Sequence, residues 1–199
     1  MRTALWLLCA AGLLPAENFS YWIQPCSAEI SAKASCVTAD AQLAQWAFEA
    51  WRKVGSTKLA FSSAPEDHAR IRVYWAPGQM RLYGEARPIQ VDGQRGAVIY
   101  VNPDVTQLGD EIAAAAADDR LLRDAIVYLT CLHESGHAIG LTHTGKFEDI
   151  MYSFGFGGNI VEYFERYRHT LDARSDIRTH SGISDYDRER LLELFRNHP

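Results

Sequence analysis

The sequence HESGHAIGLTH, residues 133–143, contains three of the seven histidines of the chain. The apolar pattern before and through it predicts a helix from Asp119 to Ile139. On that helix His133 and His137 are separated by about 40° in projection and about 6 Å along the axis. Both imidazoles can therefore reach one metal ion from the same face.

The residues after the helix complete a set of ligands. Gly140 is suited to the left-handed conformation that ends a helix, and the turn it permits can bring His143 back to the same ion. Three neutral imidazoles with an open fourth position are typical of catalytic zinc, whereas structural sites use four protein ligands and prefer thiolates. We therefore expect one catalytic Zn²⁺ held by His133, His137 and His143.

The expected chemistry is peptide-bond hydrolysis. Glu134 points about 100° away from the ligand next to it, so it lies beside the ion rather than on it. A water activated by zinc can lose its proton to Glu134 as general base, and the ion stabilises the oxyanion that forms. Two histidines and a glutamate can also form an ordinary polar helix face, but the added glycine and third histidine make chance agreement much rarer.

The whole stretch matches the metzincin signature H-E-x-x-H-x-x-G-x-x-H, and Met151 in Asp149-Ile150-Met151-Tyr152 resembles the Met-turn of that clan. The eight-residue step from His143 to Met151, with a tyrosine next, is similar to the matrixins, the matrix metalloproteinase branch. The resemblance implies an α+β, metzincin-like zincin catalytic domain. Such a domain has a twisted mixed β-sheet, a long active-site helix, a Met-turn and a C-terminal helix, here placed within 183–196.

The resemblance also implies roles around the ion. Met151 is expected beneath the imidazoles as an apolar floor. The substrate residue just after the cut is expected in a pocket whose wall is Tyr152, Ser153 and Phe154, and an extended substrate would pair with an edge strand at Tyr83, Gly84, Glu85 and Ala86. That last segment can equally be an ordinary hairpin arm. Thr144 and Ser153 depart from the serine and proline usual in the family.

Along the rest of the chain the predicted strands come first and helices follow them. This order favours an α+β domain over a doubly wound sheet. Pro88 favours an edge position for the fourth strand, and Thr38 is the expected cap of the first long helix. The expected strands are Phe19–Gln24, Lys58–Ser62, Arg70–Trp75, Leu82–Ile89 and Ala97–Val101. Residues 102–118 are expected to be a loop.

Residues 155–182 form a segment longer than is usual in the family, and it is expected to flank the cleft. Its glycines at the start indicate flexibility, and residues 160–171 predict a helix. Its arginines alternate with acids, which predicts a solvated face: Arg166, Arg168, Arg174 and Arg178.

Length and charge bound the remaining possibilities. The 199 residues suit one domain, and a net charge of −5 gives no basic field for nucleic acid. One positive charge, an apolar run and a small residue make residues 1–16 a predicted signal peptide, too short to span a membrane. We expect a secreted monomer, extracellular or periplasmic, whose single catalytic domain is residues 17–199 and whose partner is a protein or peptide substrate, with no membrane attachment after signal removal.

An oxidising compartment would allow a disulfide between Cys26 and Cys36, ten residues apart, and leave Cys131 as a buried thiol. Residues 75–101 contain no histidine and aspartate cluster like the family's structural sites, so bound calcium or a second zinc is not predicted.

Two other functions remain open beside the leading one, a secreted zinc endopeptidase. One is an extracellular binding module that keeps the scaffold without cutting its partner, although nothing in the site is missing. The other is a thermolysin-like zinc hydrolase with Glu162 or Glu165 as third ligand in place of His143. The short step from Gly140 to His143 argues against it.

Overall fold

The computed structural model describes residues 16–80 and 82–196, so nearly all of the predicted signal peptide lies outside it. The architecture is α+β, as expected. The strands are β1 (Glu17–Ile23), β2 (Leu59–Ser63), β3 (Ile71–Trp75), β4 (Gly84–Val91) and β5 (Gln94–Val101). The helices are α1 (Ala28–Ala34), α2 (Asp40–Gly55), α3 (Asp110–Ala116), α4 (Arg120–Ile139), α5 (Ile160–Arg168) and α6 (Asp185–Leu194).

The five strands form one mixed sheet in the order β2-β1-β3-β5-β4. Strands β2, β1, β3 and β5 are parallel to one another. Strand β4 pairs antiparallel with β5, with Gly84 opposite Val101. Asp92 and Gly93 turn the β4–β5 hairpin with φ values of 51° and 74°, the left-handed pair that a tight hairpin requires. Pro88 lies in β4 at the edge of the sheet, as its missing N–H indicated.

Helix α4 packs against strands β4 and β5 of the sheet and against α2, which itself contacts β2. The core stripe of α2 includes Leu43, Ala47 and Trp51, each no more than 1% exposed. The indole N–H of Trp51 donates to the carbonyl of Leu132 at 2.9 Å and lies 3.1 Å from Ser135 Oγ. The helix that carries the histidines is thus fixed along its length by apolar packing and by a buried hydrogen bond.

Two local predictions were wrong. The expected loop 102–118 contains α3, because its alanines favour helix and Ile112 buries its side chain at 1% exposure. Thr38 does not cap α2; the helix begins at Asp40, whose carboxylate accepts from the Val37 N–H at 2.9 Å. The same carboxylate pairs with Arg123 on α4, a tertiary contact that local sequence does not reveal.

The solvated face expected for the arginines of 155–182 holds only in part, because Arg166 and Arg178 are exposed whereas Arg168 and Arg174 are half-buried. Arg168, Arg174 and Arg178 each form a 2.8 Å ion pair with an acid elsewhere in the fold. Their partners are Asp119 at the start of α4, Asp124 within α4 and Glu49 on α2. These pairs attach the segment to the two core helices. The predicted helix there is shorter than expected and ends at residue 168.

The structure forms the disulfide between Cys26 and Cys36, which closes a loop containing α1. Cys131 is buried and free, and burial raises the pKa of its thiol. No helix in residues 16–80 or 82–196 is long and apolar enough to cross a membrane.

Replacing both Cys26 and Cys36 with serine should lower the free energy of unfolding by about 3 kcal/mol, because the unfolded chain regains the entropy of a ten-residue loop. Urea denaturation of the oxidised protein and of the double variant measures this difference. Adding a reductant should destabilise the wild type and leave the variant unchanged. Equal midpoints for wild type and variant would contradict the prediction.

Candidate metal centre and substrate cleft

Three imidazoles converge at the end of α4. Nε2 of His143 lies 3.2 Å from Nε2 of His133 and 3.0 Å from Nε2 of His137. One ligand atom from each side chain lies within 4.8 Å of the others, which permits a single metal ion to contact all three. Neither Glu162 nor Glu165 belongs to this group.

Hydrogen bonds at Nδ1 of His133 and His137 determine which nitrogen of each ring carries the proton. Nδ1 of His133 is 2.6 Å from the carbonyl oxygen of Ile150, and Nδ1 of His137 is 2.8 Å from that of Leu141. A carbonyl only accepts, so each Nδ1 carries the proton and each Nε2 presents a lone pair. Such partners are the usual second shell of a histidine that binds metal.

The protonation equilibria agree with a cation site. Burial, together with His137 and His143, lowers the pKa of His133 to about 3. Burial also lowers the pKa of His137 and of His143. The Nε2 atoms of His133 and His137 are both acceptors and lie 3.2 and 3.0 Å from Nε2 of His143, and a divalent cation would bind all three at once. The donor set therefore fits zinc.

The turn that returns His143 depends on Gly140, whose φ is 113°. Its N–H bonds the carbonyls of Gly136 and His137 at 3.1 and 3.0 Å, which closes the helix. The guanidinium of Arg95 donates to the carbonyl of Ile139 at 2.5 Å, so a strand of the sheet caps the same helix end.

Beyond His143 the chain pairs with the segment around Met151. The Thr144 N–H donates to the carbonyl of Met151 at 2.8 Å, and the Ser153 N–H donates to that of Thr144 at 3.2 Å. Met151 is fully buried, and its sulfur lies so close to Gly136 that a Cβ there would collide with it. The sequence did not single out Gly136, although only glycine leaves room for this contact.

The backbone on either side of Ile150, whose carbonyl accepts from His133, is held by two helices. Asp187 on α6 accepts from the Ile150 N–H at 2.7 Å, and Tyr163 on α5 donates to the Asp149 carbonyl at 3.0 Å. The Ser184 hydroxyl links the two acids, at 2.7 Å from Asp149 and 3.0 Å from Asp187. Burial and the charge of Asp149 raise the pKa of Asp187.

Glu134 lies beside the histidines at 6% exposure. Burial and the nearby Glu85 raise the pKa of Glu134 to about 8, while a hydrogen bond from the Ala86 N–H opposes the rise. Strand β4 approaches the side chain closely at Gly84: a Cβ there would lie 2.7 Å from Glu134 Cγ and 2.8 Å from its Oε1. The carboxylate is therefore clamped between α4 and the backbone of β4.

A cavity of about 390 Å³ opens onto the three histidines and Glu134. Every substrate-binding residue predicted from sequence lines it: Tyr83, Gly84, Glu85, Ala86, Tyr152, Ser153 and Phe154. Met151 is not among the lining residues. Ser153, where proline is common in the family, has its Oγ 3.3 Å from the Gly155 N–H that donates to it, which supports the turn after the wall.

Four lining residues were not identified from the sequence: Leu129, Thr130, Tyr163 and Phe164. Leu129 and Thr130 lie one helical turn before His133, so the spacing of α4 could have indicated them. Tyr163 and Phe164 lie on α5. Their ring centroids are 5.4 Å apart, and Phe164 stacks on Tyr83 at 5.5 Å across the cavity lining.

A peptidase family model described as matrixin matches residues 16–159. The matched range includes the sheet, α4, the three histidines and the segment through Met151, and it ends just before α5. No curated protein and no solved structure matches the chain.

Replacing Asp187 with asparagine should change how stability depends on pH. The native pKa of Asp187 lies above its ordinary value of 3.8, so the native state holds this proton more tightly than the unfolded chain does. The stability that this proton contributes is complete below about pH 4 and is lost as the pH rises through the native pKa. The asparagine variant should therefore gain stability relative to wild type as the pH rises above about 4.

Urea midpoints of chelator-treated protein at several pH values would measure the difference. Asp185→Asn is a matched control, since Asp185 is exposed in the same helical turn. A difference between Asp187→Asn and wild type that stays constant with pH would contradict the prediction.

Proposed function

The chain belongs to the matrixin family of metalloproteases, and we propose that it is a secreted zinc-dependent endopeptidase. The observation that carries the proposal is the convergence of the Nε2 atoms of three histidines with the Glu134 carboxyl beside them. His133, His137 and His143 would hold one zinc ion. When bound there, zinc supplies a water acidic enough to react near neutral pH and polarises the carbonyl that is attacked.

Glu134 is the proposed general base. Its carboxyl is buried and held by the Ala86 N–H, so it has one defined position from which to take a proton from water. A nearby cation would favour the ionised form against the burial that raises the pKa to about 8. A carboxyl with such a balance can accept a proton and return it to the leaving amine within one turnover.

Strand β4 is the proposed substrate-binding edge. It is the last strand of the sheet, and Gly84, Glu85 and Ala86 line the cavity beside the base. An extended peptide that paired with this edge would lie across the histidines and bind through its backbone. A peptide can continue in both directions along a strand edge, which supports cleavage within a chain rather than at its end.

The cavity would receive the side chain next to the cut bond. Tyr152, Ser153 and Phe154 form its proposed wall, and Met151 supports the metal centre through its contact with the Gly136 backbone. Residues 155–182 are the proposed insertion, and they add Tyr163 and Phe164 to the lining. Aromatic rings dominate this surface, which favours apolar side chains.

Secretion rests on two further observations. Residues 1–16 have the order of charge, apolar run and small residue that a signal peptide requires. The disulfide between Cys26 and Cys36 is of a kind that persists in oxidising compartments. The proposed mature protein is a monomer with one catalytic domain, residues 17–199.

Glu134→Gln should reduce cleavage of a casein substrate at least about a hundredfold, because the amide cannot accept the proton of the attacking water. The variant should still bind one zinc per chain, since the amide leaves the three imidazoles in place. His143→Ala is the comparator and should lose both zinc and activity. Zinc content by atomic absorption and rates at matched protein concentration give the two readouts.

Three results would count against parts of the proposal. Cleavage by Glu134→Gln at the wild-type rate would remove the base. Zinc binding by His143→Ala at wild-type affinity would favour a glutamate as third ligand. Stable binding of a peptide that the zinc-loaded wild type leaves intact would favour a binding module.

Gly84→Ala should lower kcat by about ten- to a hundredfold with zinc content retained. The added methyl would lie 2.7 Å from both Glu134 Cγ and Thr130 Cγ2, so the carboxyl must move. Gly84→Ala/Thr130→Ser should recover part of the loss, because removing Cγ2 lets the methyl shift away from the base. Wild-type kinetics in Gly84→Ala would show that the close approach is not required.

A further inference from the structure

Phe156 is a large apolar side chain that the fold leaves in solvent. Its exposure is 68%, against 41% for Val37 and 39% for Tyr186, the other exposed large apolar residues among those described. A single exposed apolar residue needs no explanation in itself. The position of Phe156 does need an explanation, because Phe156 lies two residues after Phe154, which lines the cavity.

The turn that carries Phe156 is held by several hydrogen bonds. The Phe156 N–H donates to the Ser153 carbonyl at 3.0 Å, and the Gly157 N–H donates to that of Phe154 at 3.0 Å. The hydroxyl of Tyr152 donates to the Gly157 carbonyl at 2.6 Å. The ring is therefore presented by a defined turn, which limits the entropy that a ligand would have to remove.

The ring also lies beside the metal-binding loop. A Cβ on Gly145, two residues after His143, would be 3.8 Å from the nearest atom of the Phe156 ring. The centroid of the Phe156 ring is 6.5 Å from that of Tyr152, a residue of the cavity lining. Phe156 does not itself line the cavity, but it lies next to Tyr152, which does, and beside the loop that follows the third histidine.

The distance between these two rings matches the repeat of an extended peptide. Successive side chains of a strand point to opposite faces, so those two residues apart point the same way, about 6.6 Å from each other. If one substrate side chain enters the cavity beside Tyr152 and the peptide runs toward Phe156, the side chain two residues away would lie within reach of the Phe156 ring. The residue between them would point away from both rings.

We propose that Phe156 is a specificity-determining residue that contacts an apolar substrate side chain two positions from the one that fills the cavity. The inference rests on the proposed peptidase function and deepens it. An exposed phenyl ring gains by covering aliphatic or aromatic surface and gains nothing from glycine or a charged group. The enzyme should therefore select an apolar residue at this second position.

The test uses quenched fluorescent peptides with a constant residue in the cavity. The positions two residues before and two residues after it are varied separately between leucine and glycine. For wild type, leucine should raise kcat/KM at one of the two positions. In Phe156→Ala, that leucine-to-glycine ratio should fall about tenfold. In Val37→Ala, which removes an exposed apolar side chain outside the cleft, the ratio should equal that of wild type.

Binding provides a readout that does not need catalysis. The same leucine and glycine peptides are titrated by fluorescence anisotropy into zinc-loaded Glu134→Gln, with and without Phe156→Ala. Tighter binding of the leucine peptide that disappears with Phe156→Ala supports the proposal even if wild type cleaves nothing, a result that would overturn only the peptidase assignment. A ratio that Phe156→Ala leaves unchanged in both assays overturns the role of Phe156.

Two further outcomes would assign the ring elsewhere. A uniform loss with leucine and glycine peptides would show that Phe156 only supports the turn. Cosedimentation with phosphatidylserine–phosphatidylcholine vesicles that depends on Phe156, together with an unchanged peptide ratio, would assign it to a lipid surface. Either result overturns the proposal.

Discussion

The left-handed turn at Gly140 is the constraint on which the candidate metal centre depends. A continued helix would carry His143 away from His133 and His137, whereas the turn returns it to within 3.2 Å of both. The turn is favoured by the glycine itself and secured by the Arg95 guanidinium on the last carbonyl of the helix. The positive φ of this one residue therefore allows three ligands within eleven residues, 133–143, to converge.

Bringing the three side chains together does not by itself orient their ring nitrogens toward one ion. Hydrogen bonds from the surrounding fold provide this orientation. The carbonyl of Ile150 orients His133, and the peptide of Ile150 is itself held by Asp187. The carbonyl of Leu141 orients His137. Two of the three imidazoles are thus oriented by backbone carbonyls, which have few alternative conformations, rather than by long mobile side chains.

The sequence was most informative where spacing determines geometry. The four-residue step between two histidines, the helix-ending glycine and the edge position of Pro88 follow from backbone rules and agree with the structure. The cavity wall after Met151 was placed through the family resemblance. The aromatic pair on α5 was missed because no local pattern states against which surface a helix packs.

The same limit explains the errors. Asp40 replaced Thr38 at the start of α2 because it pairs with Arg123, more than eighty residues away. The arginines of 155–182 alternate with acids in a way typical of solvent-facing segments, yet Arg174 pairs with an acid on α4 and Arg178 with one on α2. Alternating charge in a sequence shows that charged side chains are present, but it does not show which of them pair in the fold.

Two stretches of the chain build the cavity, and the family model matches only the first of them. Residues within the matched range, up to 159, supply the imidazoles, the carboxyl and the strand edge, whereas α5, beyond that range, supplies Tyr163 and Phe164. Mutation could remodel the second stretch while sparing the first. Substitutions on α5 could then change which side chains the cavity accepts, provided that Tyr163 keeps its hydrogen bond to the backbone beside Ile150, whose carbonyl orients His133.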